Sequence, residues 1–188
     1  DALPISLYYI LQQGAMAIIL FVYISASPYI FQNIYGLNAM SFSAIFALNA
    51  AGIGAGAMLS AKFRRRRTAV VFSGVGAFAA AIIEAILISA GANVYFVELA
   101  IWVMMFMFGV AAPAAAAIVL DSQRNNAGTA AALLGALPFF LGSVAVSCTG
   151  FGSVSVSFAS MIIIGGFLGA LLSLVARHYQ KKFGPSTI

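Results

Sequence analysis

Charged residues are almost missing from this sequence, at 7% of its 188 positions. None occurs from Ala2 to Ala61, and none from Asn125 to Ala176. Soluble domains carry about a quarter charged residues, so a water-soluble fold is excluded. Cysteine is as scarce. Cys148 stands alone in an apolar stretch, which rules out a disulfide framework or a thiolate metal site. The one histidine, His178, lies among Arg177, Lys181 and Lys182, where a solvated basic tail explains it and no second histidine exists to build a metal site. The sequence also lacks a Gly-rich phosphate loop ending in Gly-Lys-Ser/Thr, and no serine has a plausible histidine base. No enzyme, metal or cofactor is expected.

What the chain has is apolar length. It is 63% hydrophobic with a mean hydropathy of +1.07. A bilayer core is crossed by about 20 residues of helix, and each uncharged block is long enough for two crossings. The expected class is therefore an all-α polytopic membrane protein. The chain opens on Asp1, with no basic segment, short apolar stretch and cleavage site ahead of the first long apolar run. It is expected to be processed, or cut from something larger.

Polar, Gly, Pro and charged positions divide the chain into six helices near residues 5–31, 40–61, 68–90, 95–120, 128–150 and 155–177, followed by a tail over 178–188. Lys62, Arg64 to Arg67, Arg124, Arg177, Lys181 and Lys182 come in groups two spans apart, so all fall on one side. The connections Gln32 to Ala39, Gly91 to Val94 and Phe151 to Val154 hold no Lys or Arg. By the positive-inside rule both ends of the chain are cytoplasmic. The net charge of +5 thus reads as a topology signal and as attraction to membrane lipid headgroups, and no nucleic-acid partner is expected. Tyr29, Phe31, Tyr35, Tyr95 and Phe96 on the outer side, with Phe63, Tyr179 and Phe183 on the inner, are expected as interfacial anchors. Gly52 with Gly56, and Gly165 with Gly169, have the four-residue spacing that lets helix backbones approach in lipid.

The run Phe21-Val-Tyr-Ile-Ser-Ala-Ser-Pro-Tyr-Ile-Phe-Gln-Asn-Ile-Tyr-Gly-Leu37, with Phe42 and Phe46-Ala-Leu-Asn49 after it, resembles helices seven and eight of Bcr/CflA-type drug-resistance transporters. The stretch Arg124-Asn-Asn-Ala-Gly-Thr-Ala-Ala-Ala-Leu-Leu-Gly135 resembles the start of that family's eleventh helix. Gly56-Ala-Met-Leu-Ser-Ala-Lys-Phe-Arg-Arg65 resembles the loop motif of the wider superfamily, with Ser60 in place of its acid. The resemblance covers essentially the whole chain. It implies a single domain over residues 1–188, the C-terminal half, helices seven to twelve, of a major facilitator superfamily multidrug efflux transporter of the bacterial inner membrane. The fold would be a six-helix bundle of two inverted three-helix repeats, with substrate bound near the midplane between two halves.

The resemblance turns helices one, two, four and five toward a central cavity. On helix one, Tyr9, Gln13, Met16, Leu20, Tyr23 and Ser27 recur in steps of three and four and share a face. On helix two Asn49 shares a face with Gly52 and Gly56, and on helix four Glu98 shares one with Trp102, Met105, Gly109 and Ala116. Tyr9, Gln13, Tyr23, Asn49, Glu98, Trp102, Met105 and Phe139 are the expected substrate contacts. An apolar, aromatic wall with few polar tips suits varied lipophilic drug-like molecules. Ordinary helix packing explains the same residues, and an amide such as Asn49 finds a partner between helices in any bundle. Glu98 is costly to bury as an anion, so it is the candidate for proton or cation binding; a hydrated carboxylate at the outer rim is the alternative. Glu84, on a helix that the resemblance places at the lipid-facing periphery, is expected to be a neutral or hydrogen-bonded structural acid. Pro113, Pro138, Phe139 and Phe140 lie where they would shape the cavity.

Acids that carry protons in similar antiporters lie largely in the first half, so the expected partners are protons, lipophilic drugs, and either a missing six-helix N-terminal half or a second copy of this chain. Two other functions fit the same residues: a self-associating bundle without transport, and an exporter of a small metabolite.

Overall fold

A computed structural model describes residues 2–183, with side chains described for residues 5–179. Helix α1 (Ala2–Pro28) continues through a π-helical segment (Tyr29–Ile34). It is followed by α2 (Ala39–Lys62), α3 (Arg66–Ser89), α4 (Val94–Ser122), a 3-10 turn (Arg124–Asn126), α5 (Ala127–Cys148) and α6 (Val154–Phe183). All six helical stretches are long and apolar enough to cross a membrane. With the apolar composition, this is a multi-pass membrane architecture. The four middle helices fall within two residues of the expected limits, and the outer two are longer than expected. The first helical stretch runs on to Ile34, and the last continues to Phe183, six residues into the expected tail. Residues 184–188 and the side chains of Lys181, Lys182 and Phe183 lie outside the described residues.

The turns follow from their residues. Asn38 caps α2 by accepting a hydrogen bond from the Ser41 amide at 2.8 Å, and Asn93 caps α4 through the Tyr95 amide at 3.0 Å, each satisfying a helix-start donor. Gly36, at φ +67°, ends the π segment, and the Leu37 amide beyond it closes back onto the Phe31 carbonyl at 2.9 Å. A side chain rarely tolerates that left-handed backbone.

The helices fall into two sets of three, packed in the same way. Helix α2 packs on α4 and α5 on α1; α3 packs on α4 and α6 on α1; α3 and α6 pack on each other. Each set thus wraps its second and third helices around the first helix of the other. Because α1 starts at the end where α4 finishes, the two sets are inverted relative to one another. This arrangement is consistent with half of a major facilitator fold. Helices α2 and α5 flank the bundle and are the most exposed, with Met40, Leu48, Met58, Phe139, Phe140 and Val144 uncovered.

Lipid offers no hydrophobic drive to join helices, so close contact rests on small residues. A methyl placed on Gly56 would fall on the Phe106 carbonyl oxygen, and one on Gly109 would fall on the Ile53 carbonyl oxygen. The two glycines let the α2 and α4 backbones touch. The second glycine pair lies in the other seams, where an added Cβ on Gly165 would stand 3.0 Å from the Ala15 carbonyl oxygen.

The basic residues gather at one end. Arg66 and Arg124 both pair with Asp121, Ser6 bonds Ser122 at 2.8 Å, and the Gln123 amide donates to Ser6 at 3.1 Å. Tyr8 stacks on Tyr179 there with ring centres 5.4 Å apart. These contacts bring the start of α1, the ends of α4 and α6, and the α2–α3 connection together. The acid that meets the basic cluster is thus Asp121 of α4, while Ser60 is buried. At the opposite end Tyr29, Tyr95 and Phe96 are exposed, as interfacial anchors require, but Phe31 is fully enclosed and belongs to the core.

Candidate functional site

Three of the expected contact residues meet in one buried cluster. Tyr23 comes from α1, Asn49 from α2 and Glu98 from α4, and they are 2%, 1% and 8% exposed. The Asn49 side-chain amide donates to both Glu98 carboxyl oxygens, at 3.0 and 3.2 Å, and to the Tyr23 hydroxyl at 3.1 Å. Its carbonyl oxygen Oδ1 has no partner. Local sequence explains the convergence. Asn49 is followed at helical spacing by Gly52 and Gly56, the residues that draw α2 onto α4, so the amide is carried to the α4 surface that bears Glu98. The buried amide then finds its partners between helices, as sequence reasoning expected. The Glu98 side chain is buried between helices, with 8% of its surface exposed.

Aromatic rings surround the cluster. Tyr23 stacks on Phe46 at 5.7 Å, Phe46 meets Phe42 at 5.9 Å, and Phe42 meets Phe31 at 6.3 Å. The ladder leads from the end away from the basic residues down to the Tyr23 ring. Trp102 lies one turn beyond Glu98, stacked on Phe106 at 5.5 Å. It packs against Gly52, where an added Cβ would stand 2.9 Å from its indole nitrogen. Trp102 therefore sits within one turn of the carboxyl, with part of its surface open.

The other expected contacts are placed elsewhere. Tyr9 is enclosed in an apolar cluster at the basic end, with Val110, Ala114 and Val119. Met105 is wholly enclosed in the larger core. Phe139 is 66% exposed on α5, edge-on to Phe21 at 5.2 Å. Gln13 is buried on α1 with its side-chain oxygen unpartnered. Its neighbour Gln12, which sequence reasoning passed over, is fully enclosed with both polar atoms unpartnered. The alternation of Gln12 and Gln13 inside an apolar helix was the available signal. Phe31, Phe42 and Phe46 were also missed as a ladder; Phe42 and Phe46 stand four residues apart, on one helical face.

Two recesses lie away from the cluster. One, of about 360 Å³, is framed by the π segment, α3 and the start of α6. The other, of about 490 Å³, is an apolar groove between α3 and α4.

The cluster can do two things chemically. As an anion, Glu98 receives two hydrogen bonds from one amide; as an acid, it keeps one carboxyl oxygen to accept from that amide. Every described Lys and Arg lies at the end of α2, in the α2–α3 connection, in the first turn of α3, in the α4–α5 connection or near the end of α6, at the far end of the bundle. No described basic side chain pairs with Glu98.

The chain is similar to an MFS-type transporter. Over 155 residues it is 25% identical to YdgK of Bacillus subtilis (strain 168), described as an uncharacterized MFS-type transporter. The match covers 80% of this chain and 39% of that protein, so the chain spans about two fifths of its relative's length. No family model matches, and no solved structure matches significantly. The six membrane-capable helices are consistent with half of such a protein.

Proposed function

We propose that this chain is the C-terminal half of a proton-coupled exporter of lipophilic organic cations in a bacterial cytoplasmic membrane, with both ends on the cytoplasmic side. The observation that carries this reading is the buried Glu98 side chain, bonded by Asn49 and unmatched by any described base. One proton or one cation neutralises it. A carboxyl that binds either, but not both, couples them in opposite directions. Tyr23, Phe46 and Trp102 add aromatic faces, which attract cations and accommodate varied apolar shapes. Gln13 and Phe139 extend the same wall when a partner half faces α1 and α5, whereas Tyr9 and Met105 support it from within. The exposed flanks α2 and α5 are the surfaces that a missing six-helix half would cover.

The experiment is proton-driven efflux of a fluorescent lipophilic cation from proteoliposomes. It compares this chain alone, the chain together with its N-terminal half, and Glu98→Gln in the complete protein. Efflux that requires the second half and fails in Glu98→Gln supports the reading. Efflux that is unchanged in Glu98→Gln overturns the assignment of the site. A full complement of folded protein that moves a neutral metabolite and no cation favours the small-metabolite exporter instead.

A further inference from the structure

The seam between α3, the π segment and α6 encloses a second acid, one that the Glu98 cluster does not use. Glu84 of α3 is 0% exposed, and neither of its carboxyl oxygens has a hydrogen-bond partner. A neutral or hydrogen-bonded acid at the periphery was expected from sequence; the residue is enclosed and its carboxyl makes no hydrogen bond. The enclosure follows from packing: Glu84 continues the face of Ala77, Ala80 and Ala81, whose small side chains let α3 bed into its neighbours.

An enclosed carboxylate with no donor and no cation is too costly to persist in a membrane interior, so the group holds a proton. A structural acid would still place its hydroxyl on an acceptor, because an unmade bond is costly in a buried site. Glu84 has none among the described residues. What it has is a recess nearby. The recess of about 360 Å³ is lined by Ala85, its chain neighbour, and by Ile88, one turn further on the same face, with Ile30, Tyr35 and Ser155 across from them. The recess thus ends one helical turn from the carboxyl, at the end of the bundle away from the basic residues. One wall is the π segment Tyr29–Ile34, and such interruptions are frequent at functional sites.

The facing groups are few. Tyr35 is one: its hydroxyl donates to the Ala92 carbonyl at 3.1 Å, and burial pushes the phenol above its ordinary value. On α4, Glu98 is held by Asn49, Tyr95 is 80% exposed, and Asp121 lies at the basic end. On α1, Tyr23 shares the Asn49 amide. The titratable side chains described on α6, Arg177, His178 and Tyr179, lie at the basic end.

We propose that Glu84 is a proton-binding site distinct from the Glu98 cluster, exchanging its proton with water through the recess beside Tyr35. Water entering from the recess past Ala85 and Ile88 brings hydronium to the carboxylate, which takes the proton and leaves water; the reverse step returns the proton to water, and no other bond changes. The site stands whether or not the chain transports cations.

Infrared spectroscopy of this chain in maltoside micelles, which contain no carbonyl groups, tests this without a transport assay. Glu84→Gln should remove a protonated-carboxyl band that Glu98→Gln leaves in place. In wild-type protein that band should shift on transfer to heavy water. Filling the recess with Ala159→Leu, in protein whose circular dichroism remains helical, should slow the shift at least tenfold. Should that variant not fold, widening the recess with Val156→Ala should speed it. The proposal is overturned if Glu84→Gln removes no such band, if the band never shifts, or if reshaping the recess in folded protein leaves the rate unchanged. A negative result here leaves the efflux assignment of Glu98 intact, and failed efflux leaves this site intact.

Discussion

Asn49 holds both carboxyl oxygens of Glu98 with a single side-chain nitrogen, at 3.0 and 3.2 Å, across the α2–α4 seam. One amide from one helix therefore fixes the position of an acid on another. The seam itself exists because Gly56 and Gly109 remove the side chains that would hold the backbones apart.

The strength of that pairing is measurable. Polar contacts between membrane helices couple by about 0.6 kcal/mol on average and no more than about 1.7 kcal/mol, because a helix in lipid finds other partners when one is lost. A double-mutant cycle with Asn49→Ala and Glu98→Ala, followed by unfolding in detergent, is expected to fall in that range. A coupling of zero would mean that the two side chains are not paired in the membrane.

Backbone contact at Gly56 leaves no room for a side chain. Gly56→Val is expected to destabilise the bundle by about 1 to 3 kcal/mol through overpacking. Gly54→Ala serves as the control, since nothing lies within 4 Å of a Cβ built there. Thermal unfolding of both variants, read side by side, separates a specific clash from a general loss of glycine.

Competition between proton and cation at Glu98 fixes the sign of a pH effect. Each proton that leaves the carboxyl opens the site to a cation, so binding of a lipophilic cation to the complete protein should tighten as pH rises. The slope is at most about tenfold per pH unit for one exchanged proton. Glu98→Gln should flatten it. A titration of cation affinity against pH that has the opposite slope would refute the competition.

Truncation of the rings should act on many substrates at once. Tyr23→Ala and Trp102→Ala, in the complete protein, are expected to weaken efflux of several unrelated lipophilic cations together while the protein level stays unchanged. A drop confined to one compound would point to a fixed polar pattern in place of a broad aromatic surface.

The ion pair between Arg66 and Asp121 is half exposed, with side chains 53% and 57% uncovered. Water and salt screen such pairs, and the median exposed pair contributes no more than about 1 kcal/mol. Arg66→Ala should therefore move the unfolding midpoint little, and less still at high salt. A large loss would show that the pair organises the connections at the basic end.

The number of helices, their approximate limits and the gathering of basic residues at one end were legible because each depends on local composition. Twenty apolar residues make a span wherever they occur, and Lys or Arg in every second connection puts those connections on one side. Asn49 was readable as an interhelical donor because an amide in lipid must find a partner. Its identity as the ligand of Glu98 was not, because residues 49 positions apart meet only after α2 and α4 have packed. Phe31 was misread as an interfacial anchor for the same reason: its place near a helix end said nothing of the helices that would cover it.

Composition alone determined that this chain lives in a membrane as six helices, since the cost of placing unpaired backbone in lipid leaves few other structures. Side-chain burial within the bundle was a matter for the tertiary structure. In a protein apolar on every face, periodicity cannot tell a surface turned to lipid from one turned to another helix, because both are equally dry. Only packing separated Glu84 from the periphery, enclosed Met105 and Tyr9, left Phe139 uncovered, and brought Tyr23, Asn49 and Glu98 to one point.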